Sequence, residues 1–222
     1  TISNFVKNDL IKFTGVNPEK ITVTLESADE LPKGNEPVDE LIGKKFIMYI
    51  GRPTPHKNLR RLIDAFALLQ KKYPDLTLAL AGKKDSNYAR HETYVNEHGI
   101  KNVVFTGFIS DEQLRWMYEN TAVYCFPSLS EGFGLPGLEA MLHGAPVASS
   151  TATCLPETHG DAAHYFDPFS VKDIAKSIDD ILSDDKLRNE LIKKGKKHVK
   201  IFSWQRMAEQ TLAVYEKYGR KS

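Results

Sequence analysis

The sequence has few of the features that mark secreted or nucleic-acid-binding proteins. Only two of its 222 residues are cysteines. Because Cys125 and Cys154 show no CxxC spacing, we interpret them as reduced thiols of a cytosolic protein and not as a disulfide framework. Lys and Arg number 30 against 29 Asp and Glu. This balance argues against a nucleic-acid partner, since dedicated nucleic-acid binders usually carry a basic excess.

Long apolar runs are missing as well. No stretch approaches the roughly 20 residues that a membrane helix requires, and residues 1–4 lack the basic start and apolar run of a signal peptide. One basic cluster stands out near the end of the chain. It is either a solvated helix face or a patch that contacts anionic lipid headgroups, which would make a cytoplasmic protein peripheral to the membrane. The cluster contains Lys186, Arg188, Lys193, Lys194, Lys196, Lys197 and Lys200.

Short apolar segments alternate with amphipathic ones along the middle of the chain. Such segments are typical of strands in a parallel sheet that is covered on both faces, and the helical apolar spacing between them indicates crossover helices. The pattern predicts an α/β fold with a doubly wound, mostly parallel, Rossmann-like sheet, followed after Asp167 by extra C-terminal helices. The predicted strands are residues 46–50, 76–81, 103–105, 122–126, 146–148 and 163–166.

Helices are predicted wherever apolar residues recur at helical spacing. Ligands of doubly wound sheets bind at the carboxyl ends of the strands, so functional residues are expected immediately after each predicted strand. The predicted helices are residues 59–73, 87–97, 135–143, 171–182 and 186–202, with further helices beginning near Ser110 and Trp204.

The strongest functional signal is a glycine-rich loop between a predicted strand and a predicted helix, within residues 127–141. Backbone N–H groups at a helix start are unpaired and the helix dipole adds positive charge, so phosphate binds there readily. Glu131 on the loop and Glu139 on the helix add carboxylates, which accept hydrogen bonds from sugar hydroxyls. This combination predicts a nucleotide-sugar site. The alternative is a tight turn and a capped helix with solvated glutamates.

Residues 130–141, followed by residues 144–147, resemble the signature of the large family-four retaining glycosyltransferases with GT-B architecture. In that family two glutamates are separated by seven residues, and Glu131 and Glu139 match them. The resemblance covers essentially the whole chain. It implies the C-terminal, donor-binding one of two Rossmann-like domains, which binds a nucleotide-sugar and transfers its hexose with retention to a glycan or a lipid-linked acceptor.

The resemblance also implies roles for single residues. Arg52 and Lys57 would neutralise the donor diphosphate and, with Glu131, form the catalytic set. Glu139 would hold the ribose hydroxyls, and Glu131 would contact the donor sugar as nucleophile or as orienting group. Members of the family usually need no metal or other cofactor, so none is expected here. The other implied donor-binding positions are Gly51, Gly82, Phe108, Ile109, Gly132, Phe133, Gly134 and Leu135, although Phe108 also suits a core position.

The resemblance favours GDP-mannose over a UDP-sugar as the donor, because residues 154–157 and 165–168 resemble those of mannosyltransferases. It implies that residues 1–40 are a remnant of an N-terminal domain and linker and that residues 41–222 are the donor-binding domain. The missing N-terminal acceptor domain is then an expected partner, and the fragment alone is expected to be inactive. The aromatic face of the last helix is expected to be exposed and able to pair with another copy of the chain.

Two other interpretations stay open, a non-catalytic nucleotide-sugar sensor and a nucleotide-sugar epimerase of the same architecture. The presence of all four charged residues of the predicted site argues against a sensor. An NAD-dependent dehydrogenase is excluded because no strand is followed by GxGxxG with an acidic residue about 20 positions later. Among the histidines, His143 is expected to cap a helix C-terminus or to stabilise its dipole, and His159 and His164 are interpreted as structural.

Overall fold

The computed structural model describes residues 1–34 and 36–219. In that part of the chain six strands form one parallel sheet in the order β3-β2-β1-β4-β5-β6. The prediction of a doubly wound, mostly parallel sheet is therefore confirmed. The strands are β1 Phe46–Ile50, β2 Thr77–Ala81, β3 Val103–Gly107, β4 Val123–Phe126, β5 Val147–Ser150 and β6 Ala163–Phe166.

Helices cover both faces of the sheet, and extra helices follow the last strand, as predicted. None of the helices in the described ranges has both the length and the apolar character needed to cross a bilayer. The α-helices are α1 Asn4–Thr14, α2 Leu59–Leu69, α3 Ser86–Glu97, α4 Asp111–Asn120, α5 Leu135–Leu142, α6 Leu155–His159, α7 Val171–Ser183, α8 Asp185–His198 and α9 Trp204–Gly219.

Several predicted boundaries are wrong. The helix predicted to reach residue 73 ends at Leu69, and residues 70–72 form turns. The helix predicted to reach residue 202 ends at His198, because Phe202 turns inward and packs its ring edge-on against Phe133, with centroids 5.7 Å apart. The fifth strand runs to Ser150 rather than Ala148. Helix α6 was not predicted.

The sheet separates two apolar clusters, because successive side chains of a strand point to opposite faces. From β1, Ile47 and Tyr49 pack with residues of α2 and α7. Phe46 and Met48 pack on the other face with residues of α4 and α5. Cys125 and Cys154 are both buried and unpaired, in agreement with the prediction of free thiols.

The strand order reverses between β1 and β4, which are hydrogen-bonded neighbours although two other strands separate them in the chain. Such a switch point opens a crevice at the carboxyl ends of the two strands. The loops that leave them, residues 51–58 and 127–134, therefore face each other. The N-terminal segment reaches the same region, since the Ser3 hydroxyl donates to the Gly132 carbonyl over 2.8 Å.

The last two helices carry the features that suggested external partners. On α8 the lysines of the basic cluster are mostly exposed, and Lys194 pairs with Glu190 and Asp161 at 2.9 and 3.4 Å. No residue of α9 is buried, and Trp204, Leu212, Tyr215 and Tyr218 are exposed. Lipid contact through α8 and self-association through α9 stay predictions, as does the domain boundary near residue 40.

Candidate functional site

A close ion pair joins the two loops at the switch point. Lys57 lies in a single 3₁₀ turn, Pro55–Lys57, that follows β1. Its ammonium is 2.6 Å from a carboxylate oxygen of Glu131, and the two side chains are 22% and 13% exposed. Partial burial reduces screening by water, so the two charges orient each other strongly. Two of the three residues of the predicted catalytic set thus meet in the fold.

The side chain of Asn58 connects these loops by hydrogen bonds. It adopts left-handed backbone with φ of 58° and is buried. Its side-chain amide donates to the Pro127 carbonyl over 2.9 Å and to the Pro168 carbonyl over 2.8 Å. Its amide oxygen accepts from Arg61 over 2.8 Å. Three segments that converge on the crevice are therefore held by one side chain, which sequence reasoning passed over.

The glycine-rich loop ends at Gly134, the residue before α5. Its φ of 104° lies in a region that favours glycine, and an added Cβ would lie 2.7 Å from a methyl carbon of Leu155. Among the described residues, no partner is found for four successive backbone N–H groups, those of Gly132, Phe133, Gly134 and Leu135. These groups and the start of α5 make the loop a natural anion site.

Glu139 lies further along α5 and is half-buried. The Tyr118 hydroxyl donates to its carboxylate over 3.2 Å. Burial raises the pKa of Glu139, and the hydrogen bond from Tyr118 partly opposes that rise. A desolvated carboxylate with free lone pairs suits hydroxyl donors, which is the chemistry expected of a ribose contact.

A cavity of about 490 Å³ opens beside these loops at the ends of β1, β2 and β3. Phe108 forms an open wall, with 85% of its surface exposed, so it is not a core residue. The volume matches a small-molecule site. The cavity is lined by Ile50, Gly51, Arg52, Gly82, Lys83, Asp85, Phe108, Ile109, Asp111 and Leu114.

Arg52 extends along this cavity. Its side chain is 75% exposed and lies 3.2 Å from an oxygen of Asp85. Asp85 also accepts the backbone N–H groups of Asn87 and Tyr88 at the start of α3. These bonds, led by that from Tyr88, lower the pKa of Asp85, so its negative charge persists beside Arg52. Arg52 therefore pairs with Asp85, whereas Lys57 pairs with Glu131. The two residues predicted to bind the diphosphate reach the crevice from separate sides.

Gly82 allows the backbone after β2 to approach the backbone after β1 closely. Its φ is 150°, and an added Cβ would lie 2.5 Å from the Gly51 carbonyl and 2.8 Å from the Tyr88 hydroxyl. That hydroxyl is itself within 2.9 Å of the Gly51 carbonyl. The two glycines predicted for the donor site are thus packed against each other, and a larger residue at position 82 would push the loop outward.

Three histidines, His143, His159 and His164, make structural contacts outside the Lys57–Glu131 pair and the cavity. Nε2 of His143 accepts the Leu31 N–H over 3.2 Å, and burial lowers the pKa of His143. His143 caps the C-terminus of α5, as expected, because its backbone N–H donates to the Glu139 carbonyl. Its ring is a neutral acceptor and not a cation, so the alternative role of stabilising the helix dipole is wrong. His164 lies 3.1 Å from Asp180 on α7. His159 is buried beneath the glycine-rich loop.

Sequence reasoning missed several residues near the crevice, among them Asp85, Asp111, Asn58 and Tyr118. Asp85, with Ser86 and Asn87 after it, carries a helix-start signal that would have placed it at the end of β2. Asp111 in the first turn of α4 carries a similar signal. Asn58 and Tyr118 carry none, since their contacts join distant segments. Within residues 1–34 and 36–219, no three His, Cys, Asp or Glu side chains group closely enough to hold a metal ion.

Comparison with known families decides the classification. A model of the family described as glycosyl transferases group 1 matches residues 34–198. The chain belongs to this family. The match contains both loops of the crevice, the cavity-lining residues and the Lys57–Glu131 pair.

Mannosyltransferases are among its relatives. The chain is 32% identical to the O-antigen chain mannosyltransferase B of Escherichia coli, over 97% of this chain and 59% of that protein. It is also 32% identical to the MMP alpha-(1->4)-mannosyltransferase of Mycolicibacterium hassiacum, over 98% of this chain and 53% of that protein. The chain thus spans little more than half the length of these relatives.

The fold itself recurs in solved GT-B structures. The sucrose-phosphate synthase of Thermosynechococcus elongatus superposes with a TM-score of 0.85 at 24% identity. The match covers all of this chain and 58% of that one. At this identity the likeness concerns the fold alone. Together the family match, the mannosyltransferase relatives and the shared fold confirm the resemblance inferred from residues 130–147.

Proposed function

We propose that this chain is the donor-binding half of a retaining hexosyltransferase that uses GDP-mannose. The observation that carries the proposal is the Lys57–Glu131 pair, set 2.6 Å apart beside a loop with four backbone N–H groups that have no partner within residues 1–34 and 36–219. This arrangement places positive charge for a diphosphate next to a carboxylate for a sugar. The mannosyltransferase relatives support mannose as that sugar.

The diphosphate lies between the two loops in this proposal. Lys57 and the backbone N–H groups bind it from one side, and Arg52 reaches it from the cavity. When the bond between the sugar C1 and the phosphate oxygen breaks, the diphosphate leaves with the electron pair and gains negative charge. Cations and N–H groups already in place stabilise that charge without reorganising. Arg52 and Lys57 are thus proposed as catalytic groups.

The two carboxylates hold hydroxyl groups. Glu139 accepts from the ribose, and Glu131 accepts from the hexose while it keeps Lys57 oriented. The acceptor hydroxyl forms the new bond to C1 with retention, and its proton passes to a group outside this chain. Because the relatives are nearly twice as long, we propose that an N-terminal domain supplies the acceptor site. The chain alone then binds donor but transfers no sugar.

The cavity receives the nucleobase. Phe108 offers a face on which a base stacks, and Asp111 places a carboxylate on the cavity wall. Guanine presents two adjacent N–H donors, at N1 and at the exocyclic amine, that one carboxylate accepts together. Lys83 lines the same cavity and suits the neighbouring O6 acceptor. Uracil offers only one such donor, so this chemistry supports GDP over UDP.

Titration calorimetry with GDP, UDP and ADP tests the proposal. We expect GDP to bind most tightly, in the micromolar range, on the order of −8 kcal/mol. The double variant Arg52→Ala, Lys57→Ala should lose this binding. The double variant Lys44→Ala, Lys45→Ala is the matched control, because it removes two exposed cations from the opposite edge of the sheet. If the folded chain binds none of the three diphosphates, or if both double variants weaken binding equally, the proposal is wrong.

A further inference from the structure

The glycine-rich loop is held through its carbonyl groups. Four successive carbonyls, those of residues 131–134, each accept a hydrogen bond from a side chain. Three of the four donors belong to one short segment, α6 with the residue before it. The bonds run from Cys154 Sγ to Glu131 O over 3.2 Å, from Ser3 Oγ to Gly132 O over 2.8 Å, from Thr158 Oγ1 to Phe133 O over 2.7 Å and from His159 Nε2 to Gly134 O over 3.2 Å.

The protonation of His159 follows from its contacts. A carbonyl oxygen only accepts, so Nε2 must carry the proton that it donates to Gly134. Nδ1 is then an acceptor, and the Ser149 hydroxyl lies 3.2 Å from it. Burial lowers the pKa of His159 to about 4, so the ring is neutral and keeps this arrangement near neutral pH. Burial likewise raises the pKa of the Cys154 thiol to about 12, so that donor also retains its proton.

Peptide geometry turns these bonds into an orientation of the N–H groups. None of the described peptide bonds is cis, and in a trans peptide the N–H points opposite to the C=O of the same unit. A carbonyl that faces α6 therefore directs the next residue's N–H away from α6. Cys154, Thr158 and His159 in this way aim the N–H groups of Gly132, Gly134 and Leu135, which have no partner among the described residues.

The His159 ring also fits a space that a glycine leaves open. A Cβ on Gly137, in the first turn of α5, would overlap the ring and lie 2.5 Å from its Cε1. The Gly137 N–H donates to the Gly134 carbonyl over 3.0 Å, so this carbonyl has two donors. The start of α5 and the imidazole therefore interlock, and His159 is fully buried there.

We propose that Thr158 and His159 are positioning residues that orient the loop's N–H groups toward the diphosphate of the donor. The inference rests on the proposed function, because it takes the loop to be the diphosphate site. Neither residue touches the ligand. Each acts through a carbonyl of the loop, so its removal affects phosphate recognition and leaves base recognition intact.

The test compares GDP with guanosine in calorimetric or NMR titrations of the full chain. His159→Phe keeps a ring but removes the donor, and Thr158→Val keeps the shape but removes the hydroxyl. Each variant is expected to weaken GDP binding by about tenfold, the value of one well-placed hydrogen bond, with guanosine affinity unchanged. His159→Gln restores an N–H donor and is expected to recover part of the loss.

Thr121→Val provides the matched control. Thr121 is also a buried threonine, but its hydroxyl lies 3.2 Å from the Phe46 carbonyl and 3.0 Å from that of Val123, within the body of the sheet. It should lower thermal stability about as much as Thr158→Val and leave the preference for GDP over guanosine unchanged. That contrast separates loop positioning from a general loss of stability.

The outcomes separate two failures. If the unmodified chain binds no diphosphate, the proposed function itself is wrong. If the unmodified chain binds GDP, and both Thr158→Val and His159→Phe keep its preference for GDP over guanosine, the positioning role is wrong. A loss of that preference in Thr158→Val alone still supports the role should His159→Phe fail to fold. An equal loss in Thr121→Val contradicts it.

Discussion

The Lys57 ammonium lies 2.6 Å from the Glu131 carboxylate across the crevice between the β1 and β4 loops. In the proposed reaction each charged group is the partner of the other until the donor binds. The diphosphate then competes for Lys57, and the sugar hydroxyls compete for Glu131. The ion pair thus orients both side chains before the donor binds and compensates the charge of each.

The pair predicts different binding defects for its two members. Lys57→Met removes a cation from the diphosphate, so we expect GDP affinity to fall by about tenfold to a hundredfold, since charge-assisted hydrogen bonds are worth about 1.5–3 kcal/mol. Glu131→Gln keeps the shape and leaves Lys57 free for phosphate. It should weaken GDP-mannose binding and leave GDP affinity nearly unchanged. Calorimetry with both ligands measures the difference, and equal losses for GDP in both variants would refute these roles.

Replacing the Asn58 side chain is expected to lower the stability of the fold even where the left-handed backbone is kept. Glycine adopts the left-handed conformation freely, so Asn58→Gly removes only side-chain bonds, those to Pro127 and Pro168 and the one from Arg61. We expect a loss of about 2–4 kcal/mol in urea unfolding, because two buried carbonyls lose their donors. Asn102→Gly is the control. Asn102 has φ of 54° and donates over 2.9 Å to Pro74, but it is exposed, so its replacement should cost less. Equal losses would contradict the argument.

The sequence predicted the sheet well because buried parallel strands are short and apolar throughout. It placed all six strands of the described sheet within a few residues. It missed α6, whose five residues are too few to show a helical period and whose proline suggests a break. The predicted helix end at residue 202 was wrong because Phe202 continues the apolar spacing of the helix but packs on Phe133, which lies far away in the sequence.

The candidate site was predictable where its residues form a local string. Glu131 and Glu139 were found from their loop and helix, and the fold brings Lys57 to Glu131. The partners that fix these groups were not found. Asn58, Thr158 and His159 act through carbonyls 25 or more residues away. Such contacts depend on the tertiary fold and leave no periodic signal in one sequence.

Asp111 predicts a change in base preference. Asp111→Asn replaces an acceptor-only carboxylate by an amide, which no longer accepts two donors from guanine. We expect GDP affinity to fall by about tenfold and UDP affinity by much less. Glu112→Gln is the matched control, since Glu112 also lies in the first turn of α4 but not on the cavity. A uniform loss for GDP and UDP would show that Asp111 does not read the base.

His159 predicts an acid-sensitive fold. Burial lowers the pKa of His159 from 6.5 to about 4, so the folded protein favours the neutral ring. Its contribution to stability is complete above pH 6.5 and is lost as the pH falls toward 4, because the unfolded chain takes up the proton first. The shift corresponds to a loss on the order of 3 kcal/mol over that range.

His159→Phe removes this proton uptake. Although the variant is less stable at neutral pH, the free energy of unfolding should fall less steeply with acid than in the unmodified chain. Urea unfolding at a series of pH values measures the slope, and His56→Gln serves as control because His56 is exposed. If the slopes of the unmodified chain and His159→Phe coincide, the ring is not held neutral by burial.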